Sequence, residues 1–187
     1  LNSVDKFCSI VRKRTVEHRE AMERLSDLPG MMVSILRQEL DSMVRVIYLL
    51  EISDIAERTR LIEQTLQNEI WTVVTHNGRN RKVTDREMVE ISDSLQGWTR
   101  SVYKFGCAFI HFSAFHNYSE ENPFELLSSE EQYDILSHMR HYHGGPSSNA
   151  PNFAELSGYF PRVFQKIANN LEYYVQDLES GKVQQEA

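Results

Sequence analysis

The stretch from Thr84 to His116, TDREMVEISDSLQGWTRSVYKFGCAFIHFSAFH, decides the fold. In it Met88, Ile91, Leu95, Trp98, Val102, Phe105, Phe109 and Phe112 follow one another at alternating steps of three and four, and the same rhythm lands next on His116. That spacing places all of these side chains on one stripe of an α-helix. Thr84 can cap the start, and Glu87 is placed to complete a capping box. The stretch predicts one long helix over 85–116, or two helices bent near Gly97. Met88, Ile91, Leu95, Val102, Phe105, Phe109 and Phe112 are expected to be buried. A second stripe, Arg100, Lys104, Cys107 and His111, adjoins the apolar one.

Outward from this segment the rest of the chain reads in the same way. Val4, Phe7, Cys8, Val11, Thr15, His18, Met22 and Leu25 outline a first helix, with His18 as a packed histidine inside its stripe. Pro29 and Gly30 break the chain, and a second helix covers 31–52. Along its side Arg37, Asp41 and Arg45 step by four, which reads as a solvated face with ion pairs. Asp54 can cap a third helix over 55–70, with Ile55, Ile62, Leu66 and Ile70 inward. Residues 71–83 combine a short β-prone run from Trp71 with the basic, turn-prone loop His76 to Lys82, read as solvated. Ser128 and Glu131 form another capping box before a helix that ends at Gly144 and Gly145. Pro161 suits the first turn of the last helix, whose stripe runs from Phe164 to Leu178. The expected fold is all-α, a single-domain bundle of five or six helices over 1–179. It carries an irregular or β-like excursion near 71–83 and a frayed tail at 180–187.

Composition narrows the function classes. The 187 residues contain 27 acidic against 20 basic side chains, a net charge of −7, which argues against broad non-specific binding to nucleic acid or anionic membrane. The two cysteines, Cys8 and Cys107, make no disulfide framework and read as buried thiols of a reducing compartment. No apolar run reaches the length of a membrane span, and no basic-then-apolar leader is visible at the start. A cytoplasmic location is the resulting expectation.

Five of the seven histidines, His111, His116, His138, His141 and His143, lie between residues 111 and 143. Histidine carries protons near neutral pH and binds metals, so the cluster marks where a site would sit. Neither GxGxxG nor GxxxxGK[ST] occurs, which sets nucleotide loops aside. His138 and His141 have the spacing of helical metal ligands, and His111 could join them from the other helix.

The segment Lys104-Phe-Gly-Cys-Ala-Phe-Ile-His111 resembles the Arg-x4–6-His signature of the HEPN superfamily. That family comprises small all-α domains, often dimeric. Many are metal-independent ribonucleases, and others are inactive binding or antitoxin-linked modules. The resemblance implies that His111 acts at an RNA phosphodiester with Lys104 in the arginine's place. Lysine keeps the charge and loses the planar fork that grips a phosphate by two bonds. Phe105 stands where a polar residue often follows, and Arg100, one turn earlier, could supply a guanidinium.

The reading that follows from the residues themselves is a helical binding module without cofactor, not an enzyme. It would recognise a partner or small ligand through the 98–143 region, at Trp98, Phe112, His116, His138, His141 and Tyr142. The alternatives are a HEPN-like ribonuclease or inactive RNA-binding relative using His111, Lys104 and Arg100, and a metal site of His111, His138 and His141. RNA is thus a possible partner, a membrane is not expected, and the aromatic surplus of 98–118 predicts a homodimer.

Overall fold

A computed structural model describes residues 2–182. Seven helices of twelve residues or more and one short helix account for most of it. They are α1 (Ser3–Arg24), α2 (Pro29–Glu51), α3 (Ile55–Leu66), α4 (Asp85–Gln96), α5 (Thr99–Ile110), α6 (Ser129–His143), α7 (Phe153–Ser157) and α8 (Phe160–Glu179). The fold is the expected all-α bundle. The excursion at 71–83 is a two-stranded antiparallel hairpin, β1 (Thr72–Val74) and β2 (Asn80–Lys82), in the register Thr72↔Lys82. Among the described residues no helix is long and apolar enough to cross a membrane.

Helix α2 is the axis of the bundle, and α1, α4, α5 and α8 pack around it. Leu40, Met43, Val44, Val46, Ile47, Leu49 and Leu50 are all fully buried, so the helix is apolar nearly all round, as a central helix must be. The Arg37–Asp41–Arg45 row is therefore not the solvated face expected from its spacing. Arg37 is buried, and Asp41 pairs with both Arg37 (3.7 Å) and Arg45 (3.1 Å). Asp85 at the start of α4 reaches the same two guanidiniums at 3.6 and 3.4 Å. The Arg37 end of the row is covered because α4 and α5 close over that side of α2, while Asp41 and Arg45 stay half-buried. Gly106 of α5 permits the approach: a Cβ there would lie 2.6 Å from the Arg37 Cβ.

His18 is the packed histidine that its stripe implies. Its Nδ1 lies 2.7 Å from the fully buried Glu39 carboxylate, which also accepts from the Thr15 hydroxyl at 2.7 Å. The cysteines are free thiols, and burial pushes the Cys8 thiol up to about 12.

Other boundaries depart from expectation for local reasons. Pro29 and Gly30 form the first turn of α2 instead of a break, since proline is tolerated where the helix has no N–H to satisfy. Helix α3 stops at Leu66, where Asn68 adopts a left-handed conformation. Ile55 and Ile70 are consequently exposed, while Leu61 and Ile62 face inward. Trp71 then tucks under Tyr48 and donates its Nε1–H to the Thr65 hydroxyl at 2.7 Å. At the other end of the chain, 180–182 are held. Lys182 pairs with Asp177, and its carbonyl accepts from Arg58 at 2.8 Å. The remaining tail positions, 183–187, lie outside the described residues.

The Thr84–His116 stretch is two helices. Gly97, with φ +68, ends α4 in the left-handed conformation that glycine alone adopts without cost. The Asp93 carboxylate bridges the break by accepting from the Thr99 hydroxyl (3.3 Å) and the Arg100 N–H (3.0 Å). Helix α5 ends at Ile110, not 116, and His111 is its extended C-cap. Ile91 and Val102 are half-buried rather than buried, and two members of the stripe are lost at these two helix ends. Leu95, at the end of α4, is half exposed, and Phe112 is 98% exposed. A 3-10 turn over Ala114–Asn117 instead swings Phe115 back onto Phe105 and Phe109, at ring distances of 6.2 and 5.8 Å.

Candidate functional site

Three helices that diverge from the core leave an apolar pocket between them. Helix α5 contributes Trp98, Val102 and Phe105, at the three–four spacing that defines one face. Helix α6 contributes Ile135, His138, Met139 and Tyr142 by the same periodicity. Phe160, Val163 and Lys166 of α8 close the third side, and Val33 and Leu36 of α2 form the floor. The cavity measures about 70 Å³ and opens to solvent beside Tyr142.

The wall is fixed by hydrogen bonds behind it. Trp98 donates its Nε1–H to the Gln96 side-chain oxygen at 3.3 Å. Gln96 also accepts from Asn170 of α8 at 3.3 Å and donates to the Tyr174 hydroxyl. Arg140 anchors the loop after α6 by donating to the carbonyls of Pro146 (2.9 Å) and Ser148 (2.8 Å).

Few polar groups line the pocket, and each stands apart. The Lys166 ammonium lies 3.8 Å from the centre of the Tyr142 ring and 5.5 Å from Trp98. Burial lowers its amine below the ordinary lysine value. Burial also lowers His143, with smaller contributions from the positive charges of Lys166 and Arg162. The His138 ring lies 6.4 Å from Tyr142, and its Nδ1 is buried with no hydrogen-bond partner among the described residues.

Of the residues named from sequence, the pocket gathers Trp98, His138 and Tyr142. His141 points away, exposed, with its ring edge-on to Tyr142 at 4.5 Å. Phe112 and His116 sit together beyond the end of α5, their rings 5.9 Å apart, because the helix ends before them. Arg100 and Lys104 line a different, smaller groove with Glu131 and Asp134. Each is matched by a carboxylate: Arg100 with Asp93 at 3.5 Å, Lys104 with Glu131 at 3.4 Å. His111 does not share their helical face as expected, since it lies in extended backbone after α5. Among the described residues no group of three His, Cys, Asp or Glu side chains could hold a metal, so His111, His138 and His141 do not converge.

No family model, curated protein or solved structure matches this chain.

Sequence reasoning missed His143 and Lys166 as members of the site. The signal for Lys166 was present. Phe160, Val163 and Lys166 recur at steps of three beside the main α8 stripe, which places the lysine on the border of an apolar face. Nothing in the sequence says that α6 lies across that border.

Proposed function

We propose that this protein is a small-ligand binding module whose site is the pocket between α5, α6 and α8. The observation that carries the reading is an apolar cavity bordered by a few polar groups, the general form of a small-molecule site. Its polar groups are isolated, with no hydrogen bond joining Lys166, His138 or His143 to one another among the described residues. A nucleophile and base held in reach of each other would favour catalysis. Their separation here favours binding. The walls come from five helices, α2, α5, α6, α7 and α8, so a ligand would also tie the α6 flank to the core.

The test is a titration with a set of one-ring fragments containing acids, bases and neutral molecules, read by the methyl NMR signals of Met139, Val33 and Val163. These signals should move for a subset of fragments, and Val102→Phe, which fills the cavity, should abolish the movement. Pocket methyls that respond to none of the fragments, or that respond equally in Val102→Phe, would remove this reading.

A further inference from the structure

The charge around the pocket narrows the class of ligand. The chain carries 27 acidic side chains, yet among the described residues none lines this cavity. The carboxylates of α6 lie toward its N-terminal end, where Glu131 pairs with Lys104 and Asp134 faces the neighbouring groove. Lys166, by contrast, takes part in no ion pair or side-chain hydrogen bond among the described residues. Its neighbours add to the positive side. Arg162 lies nearby and donates to the His143 carbonyl at 3.2 Å, so the negative end of α6 is taken up by Arg162. The Tyr142 and Trp98 rings stabilise an ammonium over their faces and offer it no acceptor in that direction. Burial disfavours an ammonium in such a place, and an anion delivered by a ligand offsets that cost.

From this arrangement, and resting on the binding reading above, we infer that the ligand is a small organic carboxylate. Its apolar body would sit among Trp98, Val102, Met139 and Val163, and its carboxylate would meet the Lys166 ammonium. A monoanion matches better than a phosphate ester. Burial and the nearby positive charges hold His143 below the ordinary imidazole value, and Lys166 is the one ammonium that lines the cavity. Size points the same way. A dry cavity of about 150 Å³ takes a benzene ring. The space of about 70 Å³ therefore suits part of one ring or a short branched chain, with the head group at the mouth.

The experiment compares 3-phenylpropionate with its primary amide, a pair of the same shape that differs in charge. Binding is measured by the pocket methyl signals to wild type, Lys166→Met and Lys166→Arg. A charge-assisted contact predicts that the acid binds wild type about 10- to 100-fold more tightly than the amide. Lys166→Met should remove that preference while still binding the amide, which also shows that the pocket is intact. Lys166→Arg should keep most of the preference. Equal binding of acid and amide to wild type, or a preference that survives in Lys166→Met, overturns the carboxylate inference and leaves the binding module standing. Failure of both compounds to move any pocket methyl overturns this inference, while the fragment titration alone then decides the binding reading.

Discussion

Helix α2 and helix α6 show two ways of being part of one bundle. In α2, 17 of 23 residues are buried, and its two buried charges, Arg37 and Glu39, are both partnered. In α6, of 15 residues only Leu136 and Met139 are buried. The α2 side closes on itself: Glu39 meets His18 and Thr15, and Arg37 meets Asp41 and Asp85. Among the described residues, the α6 side leaves Lys166 without a carboxylate and the His138 Nδ1 without a partner. The difference separates groups that specify the fold from groups available to something else. Buried charge that is fully matched reads as architecture, whereas a half-buried, unmatched charge beside a cavity reads as a site.

The comparison breaks first if the closed side tolerates damage. Glu39→Ala should destabilise the protein by roughly 3–5 kcal/mol, because it takes the carboxylate away from the buried His18. Phe109→Ala should cost about the same, roughly 3–5 kcal/mol, since this large buried ring packs against Phe105, Phe115 and Phe153. Urea unfolding midpoints check both. A loss under about 1 kcal/mol for either would mean that the packing around α2 relaxes easily. Next in size is Gly106→Ala. The new methyl would meet the Arg37 side chain, whose position is set by two carboxylates, and the expected cost is roughly 1–3 kcal/mol. An unchanged midpoint would show that α5 can shift from α2 freely.

How far the sequence revealed each side follows from the same contrast. Amphipathic stripes are a property of one helix at a time, so Phe7, Leu40, Phe109 and Ile167 were readable as core. Caps are equally local, and Thr84, Ser128 and Asp54 accept the backbone N–H groups that their positions implied. Gly97 was readable as a bend, but the end of α5 was not. The stripe continues in sequence to Phe112 and His116 after the helix has stopped, and only the fold of 111–118 shows which ring returns to the core. The burial of Arg37 and the isolation of Lys166 depend on which helices lie opposite, and no periodicity carries that. Trp98, His138 and Tyr142 were reachable because they share a histidine-rich, aromatic stretch, whereas Lys166 belongs to a helix that looked like core alone.

The open side should show itself in pH dependence. The His143 imidazole is held below its ordinary value of 6.5, chiefly by burial. Between that folded value and 6.5 the unfolded chain binds a proton that the folded protein does not. The contribution of neutral His143 is therefore fully present above pH 6.5 and declines as pH falls toward the folded value. Stability measured at pH 7.5 and at pH 5 should fall more in wild type than in His143→Gln, since the two proteins differ in that one group alone. Parallel losses in the two proteins would mean that His143 is as well solvated folded as unfolded.

The smallest expected effect lies only three residues from one of the largest. Phe112 is as large as Phe109 and continues the same sequence stripe, but it is 98% exposed against 4%. Phe112→Ser should therefore change stability by less than about 0.5 kcal/mol in dilute solution, the usual range for a surface substitution. The paired measurement isolates the end of α5 as the boundary between core and surface, because composition and periodicity are the same on both sides of it. Light scattering over a hundredfold concentration range belongs to the same experiment, since the aromatic content of 98–118 predicted a homodimer. Trp98, Phe105 and Phe109 are covered within the bundle, which leaves Phe112 as the large exposed ring of that segment. A loss of stability in Phe112→Ser that grows with protein concentration would show that the ring is covered in an assembly, because association stabilises the folded state by mass action. A large loss independent of concentration would instead place Phe112 inside the bundle and move the end of α5 toward His116.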